Sequence, residues 1–265
     1  MPPPPFRCYP PGTLFVDPAL PRTVFGWHSS RLGIDMPIVS YGDWGHPLLV
    51  FPTAQADFLE NERFYLIKAI EKHILAGKVR VFSIDSINKH AWMNRSVPIR
   101  ESARRQALYA SYVEEEVVPF IRDAVSNDAA RIAVTGASFG AFHAANQFFR
   151  RPDLFDALIA MSGFYDLDPD YTHGYADDNV YFNNPVAYLA NLHDAAKLHL
   201  LQHSQIHIVT GRGRWEAPHR SEQLAEVLRQ KGIPHNLDMW GRDVDHDWPW
   251  WRKMLDHYIG ERLGW

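Results

Sequence analysis

The stretch that most constrains this chain is Arg131-Ile132-Ala133-Val134-Thr135-Gly136-Ala137-Ser138-Phe139-Gly140-Ala141-Phe142-His143. A short apolar run, a Gly-x-Ser-x-Gly and a helix-like pattern follow one another. In a nucleophile elbow a serine sits on a strained turn at the top of a sheet. The residues two before and two after it must then be small enough for strand and helix to pass closely. Gly136 and Gly140 meet that demand. The five residues alone would also suit a flexible glycine loop, but their surroundings point to the elbow. Ile132 to Val134 are β-formers bounded by Gly136, and after Gly140 no Gly or Pro occurs until Pro152. The stretch therefore reads as strand, sharp turn, helix.

At 265 residues and 46% hydrophobic, the chain can bury one large core. We expect an N-terminal tail over 1–21 and a single domain over 22–265. A net charge of −4 leaves no excess of Lys and Arg to neutralise phosphates, which argues against a nucleic-acid partner. Cys8 is the only cysteine, so no intrachain disulfide can form. Met1-Pro2-Pro3-Pro4-Pro5-Phe6-Arg7 has neither the charged nor the apolar part of a signal peptide, and no apolar run approaches the roughly 18 residues of a membrane span. The expectation is a soluble, cytoplasmic protein with no membrane partner, its prolines forming a stiff, solvated tail. Oligomeric state is not legible.

Three β-type runs, 23–27, 36–41 and 48–51, form an antiparallel start to a sheet, and Pro37 points to an edge position for the second. After the loop 52–57, helix and strand alternate. Helices are expected over 58–76, 101–125 with a kink near Pro119, 139–150, 186–201, 218–231 and 248–259. Strands are expected over 79–84, 132–134, 157–161, 206–210 and 236–240. This rhythm implies the α/β class, a mostly parallel sheet with helices on both faces. Residues 163–204 lose the rhythm and are where a lid or cap would sit. Glu114-Glu115-Glu116 fan around a helix and read as a solvated face. Asp166-x-Asp168-x-Asp170 lacks the glycine and the glutamate that a calcium loop needs, so no metal is expected.

A serine hydroxyl needs a base within hydrogen-bond reach and a third group to orient that base. On this kind of elbow the chain order is serine, acid, histidine, and parallel sheets gather function at the carboxyl edge. His246, in the loop after the last strand, is the base candidate among 14 histidines; His219 and His235 read as surface residues. The loop after the preceding strand, Gly211-Arg212-Gly213-Arg214-Trp215-Glu216-Ala217-Pro218, offers Glu216 as the acid, with Asp243 and Asp245 as alternatives. Gly211-x-Gly213 lacks the third glycine of a dinucleotide fingerprint. For the oxyanion hole, Phe139 supplies one backbone N–H, and Gln55 in the loop 52–57, with Ala54 next, supplies the other. Nine tryptophans suggest either an aromatic pocket or a bulky core; Trp215 and Trp240 are the candidates for substrate binding.

With these residues in hand, the chain resembles the α/β-hydrolase superfamily and, within it, the esterase D-like esterases. The likeness runs from about Thr23 to the last helix. It is carried by Gly136-Ala137-Ser138-Phe139-Gly140, Arg151-Pro152-Asp153-Leu154-Phe155, Met161-Ser162-Gly163 and Asp245-His246-Asp247-Trp248. The resemblance implies an α/β-hydrolase fold, Ser138 as nucleophile, His246 as base and a carboxylate in the Glu216 loop. Two departures stand out: that family usually has Asp where Glu216 stands, and its oxyanion loop is commonly glycine-rich, whereas 52–57 has no glycine. The leading expectation is a cofactor-free serine esterase acting on a small-molecule ester through an acyl-enzyme. An acyltransferase on the same fold, or a silent binding protein, remains as an alternative.

Overall fold

The computed structural model describes residues 16–168 and 170–263. Eight strands form one sheet in the order β1-β2-β4-β3-β5-β6-β7-β8. They are β1 (Arg22–His28), β2 (Asp35–Tyr41), β3 (His46–Phe51), β4 (Val79–Ile84), β5 (Ile132–Ala137), β6 (Phe155–Met161), β7 (Gln205–Thr210) and β8 (Asn236–Met239). Strand β2 runs antiparallel to both β1 and β4, and every later pairing is parallel. The sheet is thus the α/β-hydrolase arrangement expected. Pro37 corrects one expectation, since β2 is not an edge strand. Its residues 38–41 pair with β4, and Pro37 lies in the overhanging part that meets only β1, so its missing N–H costs no ladder bond to β4.

Alternation along the strands decides the two cores. Leu48 and Val50 point to the face covered by α2 (Leu66–Leu75) and α10 (Trp248–His257), while Leu49 and Phe51 point to the other. That second face carries α3 (Ile99–Tyr112), α4 (Val118–Ala124), α5 (Phe139–Arg150), α7 (Pro185–Ala190) and α9 (Pro218–Gln230). Being covered on both sides, β3 and β5 are apolar on both faces, as in Leu48 to Phe51 and Ile132 to Val134. The short α1 (Glu60–Arg63), α6 (Asp178–Tyr181) and α8 (Ala195–Gln202) complete the set. Of the expected tail, residues 1–15 lie outside the described residues, whereas Val16 and Leu20 are buried against the α2/α10 face.

Two expected helices are divided. Tyr65, at φ 61, separates α1 from α2. The helix expected over 101–125 passes through a π-helical turn at Val113–Val117, ahead of Pro119 in the first turn of α4. That turn also corrects the reading of the glutamate triplet as a solvated face. Glu116 is buried and accepts from Trp27 Nε1, Ser29 Oγ, Ser30 Oγ and the Arg31 N–H. Glu114 pairs with Arg150 and Arg151, and Glu115 with Arg31. The three side chains do fan out, but Glu115 and Glu116 fasten the β1–β2 hairpin and Glu114 the end of α5. No helix among the described residues is long and apolar enough to cross a membrane.

Candidate active site

Strand β5 lies at the middle of the parallel part of the sheet, and Ser138 follows it directly. Its φ is 55 and its ψ −119, a conformation costly for a residue with a Cβ. Two contacts show why the flanking residues are glycine. A Cβ on Gly136 would stand 2.4 Å from the carbonyl of Gly140, and one on Gly140 would stand 2.6 Å from the Phe51 oxygen and 2.8 Å from the Pro52 oxygen. The helix α5 therefore starts hard against both its own strand and the loop that leaves β3. The Ser138 N–H donates to Met161 O at 2.9 Å, so the elbow stays tied to β6 through the turn.

The loops that carry Glu216 and His246 leave the neighbouring strands β7 and β8. Glu216, whose side chain is 1% exposed, accepts at Oε1 from Ser162 Oγ (2.6 Å) and at Oε2 from Thr210 Oγ1 (2.9 Å). His246 Nδ1 lies 3.6 Å from Oε2, slightly long for a hydrogen bond. Burial pushes the Glu216 carboxyl up, but its contacts with His246, Ser162 and Thr210 outweigh burial and hold it below its usual range. The two loops are zipped together: Gly213 N–H donates to Val244 O (2.9 Å), His246 N–H to Arg214 O (2.9 Å) and Arg214 N–H to Asp245 Oδ1 (2.6 Å). Asp245 is thereby spent as a loop brace, and Asp247 caps α10. Gly211 and Gly213 are needed for this close approach of backbones, which gives the Gly-x-Gly pair its structural reason.

Residues 74–260 match the family model described as "Putative esterase". The chain belongs to that esterase family. Among solved structures, an S-formylglutathione hydrolase from Agrobacterium tumefaciens aligns over 98% of this chain and 100% of its own, at 17% identity and a TM-score of 0.71. A ferulic acid esterase from Anaeromyces mucronatus aligns over 95% of each chain, at 13% identity and 0.66. Fluorophosphonate-binding serine hydrolase F of Staphylococcus aureus aligns over 91% of this chain and 97% of its own, at 15% identity and 0.64. At these identities the likeness is one of fold. No curated protein matches the sequence. The family makes this chain a carboxylic ester hydrolase, and its fold is that of the α/β-hydrolases.

In this esterase the loop after β3 is stiffened without glycine. The buried Glu60 carboxylate accepts from both the Thr53 N–H and Thr53 Oγ1, at 2.8 Å each. Gln55 lies exposed at the turn of that loop, and its Nε2 donates to Met93 O at 3.3 Å. Beyond Met93 opens a cavity of about 620 Å³, lined in part by Trp92, Met93, Arg95, Val97 and Tyr171. Tyr171 also packs against the Phe139 ring, 5.2 Å between centroids, so the cavity adjoins the start of α5. Trp215 and Trp240 do not line it. Trp215 is 89% exposed beside Glu216, at φ 64. Trp240 donates to Asp238 Oδ2 and lies edge-on to His257 of α10.

Four residues around the candidate site escaped the sequence reading. Ser162 and Thr210 are short hydroxyl residues at the ends of β6 and β7, Glu60 sits in a polar-looking helical stretch, and Trp251 is one of several tryptophans in α10. Only Ser162 and Thr210 carried a signal, being polar residues where an apolar strand reaches the carboxyl edge of the sheet. Asp166, Asp168 and Asp170 serve separate partners, Asn184, Thr172 and Arg220, and no metal-binding group of side chains occurs among the described residues.

Proposed function

We propose that this esterase cleaves carboxylic esters through an acyl-enzyme on Ser138, with His246 as base and Glu216 as the acid that orients it. The Ser138 hydroxyl attacks the ester carbonyl while His246 Nε2 takes its proton, and the carbonyl electron pair moves onto oxygen. The N–H groups of Phe139 and Gln55 receive that oxyanion, each such donor contributing about 3 kcal/mol. Collapse breaks the bond to the alcohol, which leaves with the proton from His246. Water then attacks the acyl-enzyme as His246 takes its proton, and the bond to Ser138 Oγ breaks as His246 returns that proton to the serine, releasing the carboxylic acid. Glu216 remains ionised and stabilises the imidazolium.

One observation carries this reading. A buried carboxylate is fastened at both oxygens and still presents Oε2 to His246 Nδ1 at 3.6 Å. Such contacts tighten once substrate binds. The strained φ of Ser138 supports the nucleophile role, since strain of this kind persists where function needs it. The single domain over 22–265 carries 163–204 as a cap: Phe164 packs edge-to-face on Phe139 at 5.0 Å and Tyr171 stacks on Phe164 at 5.2 Å. Trp215, exposed beside Glu216, and Trp240 at the end of β8 are the residues that contact the substrate in this reading. The reading includes action in the cytoplasm on a small-molecule ester, without metal or cofactor.

The test is hydrolysis of p-nitrophenyl esters, from acetyl to long acyl chains, by wild type and Ser138→Ala side by side. Loss of at least about 10³-fold in kcat in the variant is expected. Equal rates in both proteins would sink the assignment.

A further inference from the structure

Ser162 stands at the meeting point of the elbow and the acid loop. Its neighbour Met161 accepts from the Ser138 N–H, and its own N–H donates to Val209 O at 2.7 Å. Its φ is 50, an unfavourable value for a residue with a side chain. Glycine would occupy this position at less cost, and Gly163 follows immediately. What the serine adds is its hydroxyl, which donates to Glu216 Oε1 at 2.6 Å and accepts from Trp251 Nε1 at 3.0 Å. An indole N–H can only donate, so it occupies a lone pair of Ser162 and leaves the one hydroxyl proton aimed at the carboxylate. The same indole stands edge-to-face on the His246 imidazole, 5.0 Å between centroids at 88°. His246, Glu216, Ser162 and Trp251 therefore form a closed circuit of four side chains.

We infer that Ser162 and Trp251 are positioning residues of the ester-cleaving site, Ser162 fixing the Glu216 carboxylate and Trp251 fixing both the Ser162 hydroxyl and the plane of His246. The inference rests on the proposed roles of Ser138, His246 and Glu216. Without the Ser162 hydroxyl, Glu216 Oε1 is a buried acceptor with one partner fewer, and the carboxylate is free to turn away from His246. A tilt of the acid or of the ring misaligns proton transfer from Ser138 while leaving substrate contacts alone, so the loss falls on kcat.

Ser162→Gly separates this role from a merely structural one, because glycine relieves the positive φ while removing the hydroxyl. Trp251→Phe keeps the ring packing against His246 but removes the N–H. Each variant, and the pair together, is measured for kcat and KM on p-nitrophenyl acetate, with active sites counted by fluorophosphonate labelling, and for urea stability. The expected result for Ser162→Gly is a fall of about 10- to 100-fold in kcat per labelled site, with KM within about twofold. Trp251→Phe should lose less, and the double variant no more than Ser162→Gly alone, because the indole N–H acts through the serine. A Ser162→Gly enzyme whose kcat per site stays within about threefold of wild type overturns the inference, as do losses that multiply in the double variant. Ser138→Ala is run alongside. If it retains activity the triad reading has failed, whereas an inactive Ser138→Ala beside an unimpaired Ser162→Gly removes only the positioning role.

Discussion

Gly211 and Val244 approach so closely that a Cβ on the glycine would stand 2.1 Å from the Val244 carbonyl oxygen. This contact joins the loop that carries Glu216 to the loop that carries His246. In Gly211→Ala the loops must part, and the 3.6 Å relation between Glu216 and His246 is lost with them. We expect kcat/KM to fall by about 100-fold, the cost of a misplacement near 1 Å. Stability should fall less, since both loops lie at the sheet's edge. Kinetics paired with urea melts measures both, and unchanged kcat/KM would mean the zipper does not set the site.

Glu116 offers a test of the fold away from the site. Removing its carboxylate leaves Trp27 Nε1, two serine hydroxyls and the Arg31 N–H without an acceptor between the β1–β2 hairpin and the π-helical turn. Glu116→Ala should cost about 3 kcal/mol, and Glu116→Gln less because an amide oxygen still accepts. Urea unfolding followed by tryptophan fluorescence checks the order, and a Glu116→Ala protein as stable as wild type would contradict it.

His143 should make the stability of the protein fall in acid. It is buried on α5 among Phe51, Tyr109, Phe139 and Phe142, and burial pushes its pKa down to about 3. The unfolded chain protonates this histidine near pH 6.5, so between about 6.5 and 3 the unfolded state binds more protons than the folded state. Stability therefore falls as pH drops through that window, by a few kcal/mol in all. In His143→Gln the slope of stability against pH should be smaller by about one proton. Urea midpoints taken from pH 7 to pH 4 read the slope directly, and identical slopes would rule the assignment out.

Trp215 holds a bulky ring in water at a positive φ. Neither burial nor backbone preference accounts for it, which fits a role at the rim of the substrate site. Trp215→Gly should leave stability within about 1 kcal/mol of wild type, glycine's ease at positive φ offsetting its greater freedom when unfolded. KM for bulky esters should rise while that for acetyl esters holds. An unchanged ratio of the two would remove Trp215 from the substrate site.

The elbow, the α/β rhythm and the carboxyl-edge loops were all legible in the sequence, because each rests on local rules. Small residues must flank a strained serine, apolar side chains alternate along a strand, and helices repeat every 3.6 residues. Tertiary structure decided what depends on residues far apart in the chain. Pro37 lies in an inner strand because β4 stops short of it, and Glu116 is tied down because a hairpin some 85 residues earlier supplies its donors. Glu216 acquires its setting from Ser162, 54 residues away, and Ser162 its hydroxyl orientation from Trp251, 89 residues away. A hydrogen bond leaves no trace in the spacing of residues along the chain unless both partners share one helix or strand. Folding brought these side chains within 3 Å of one another.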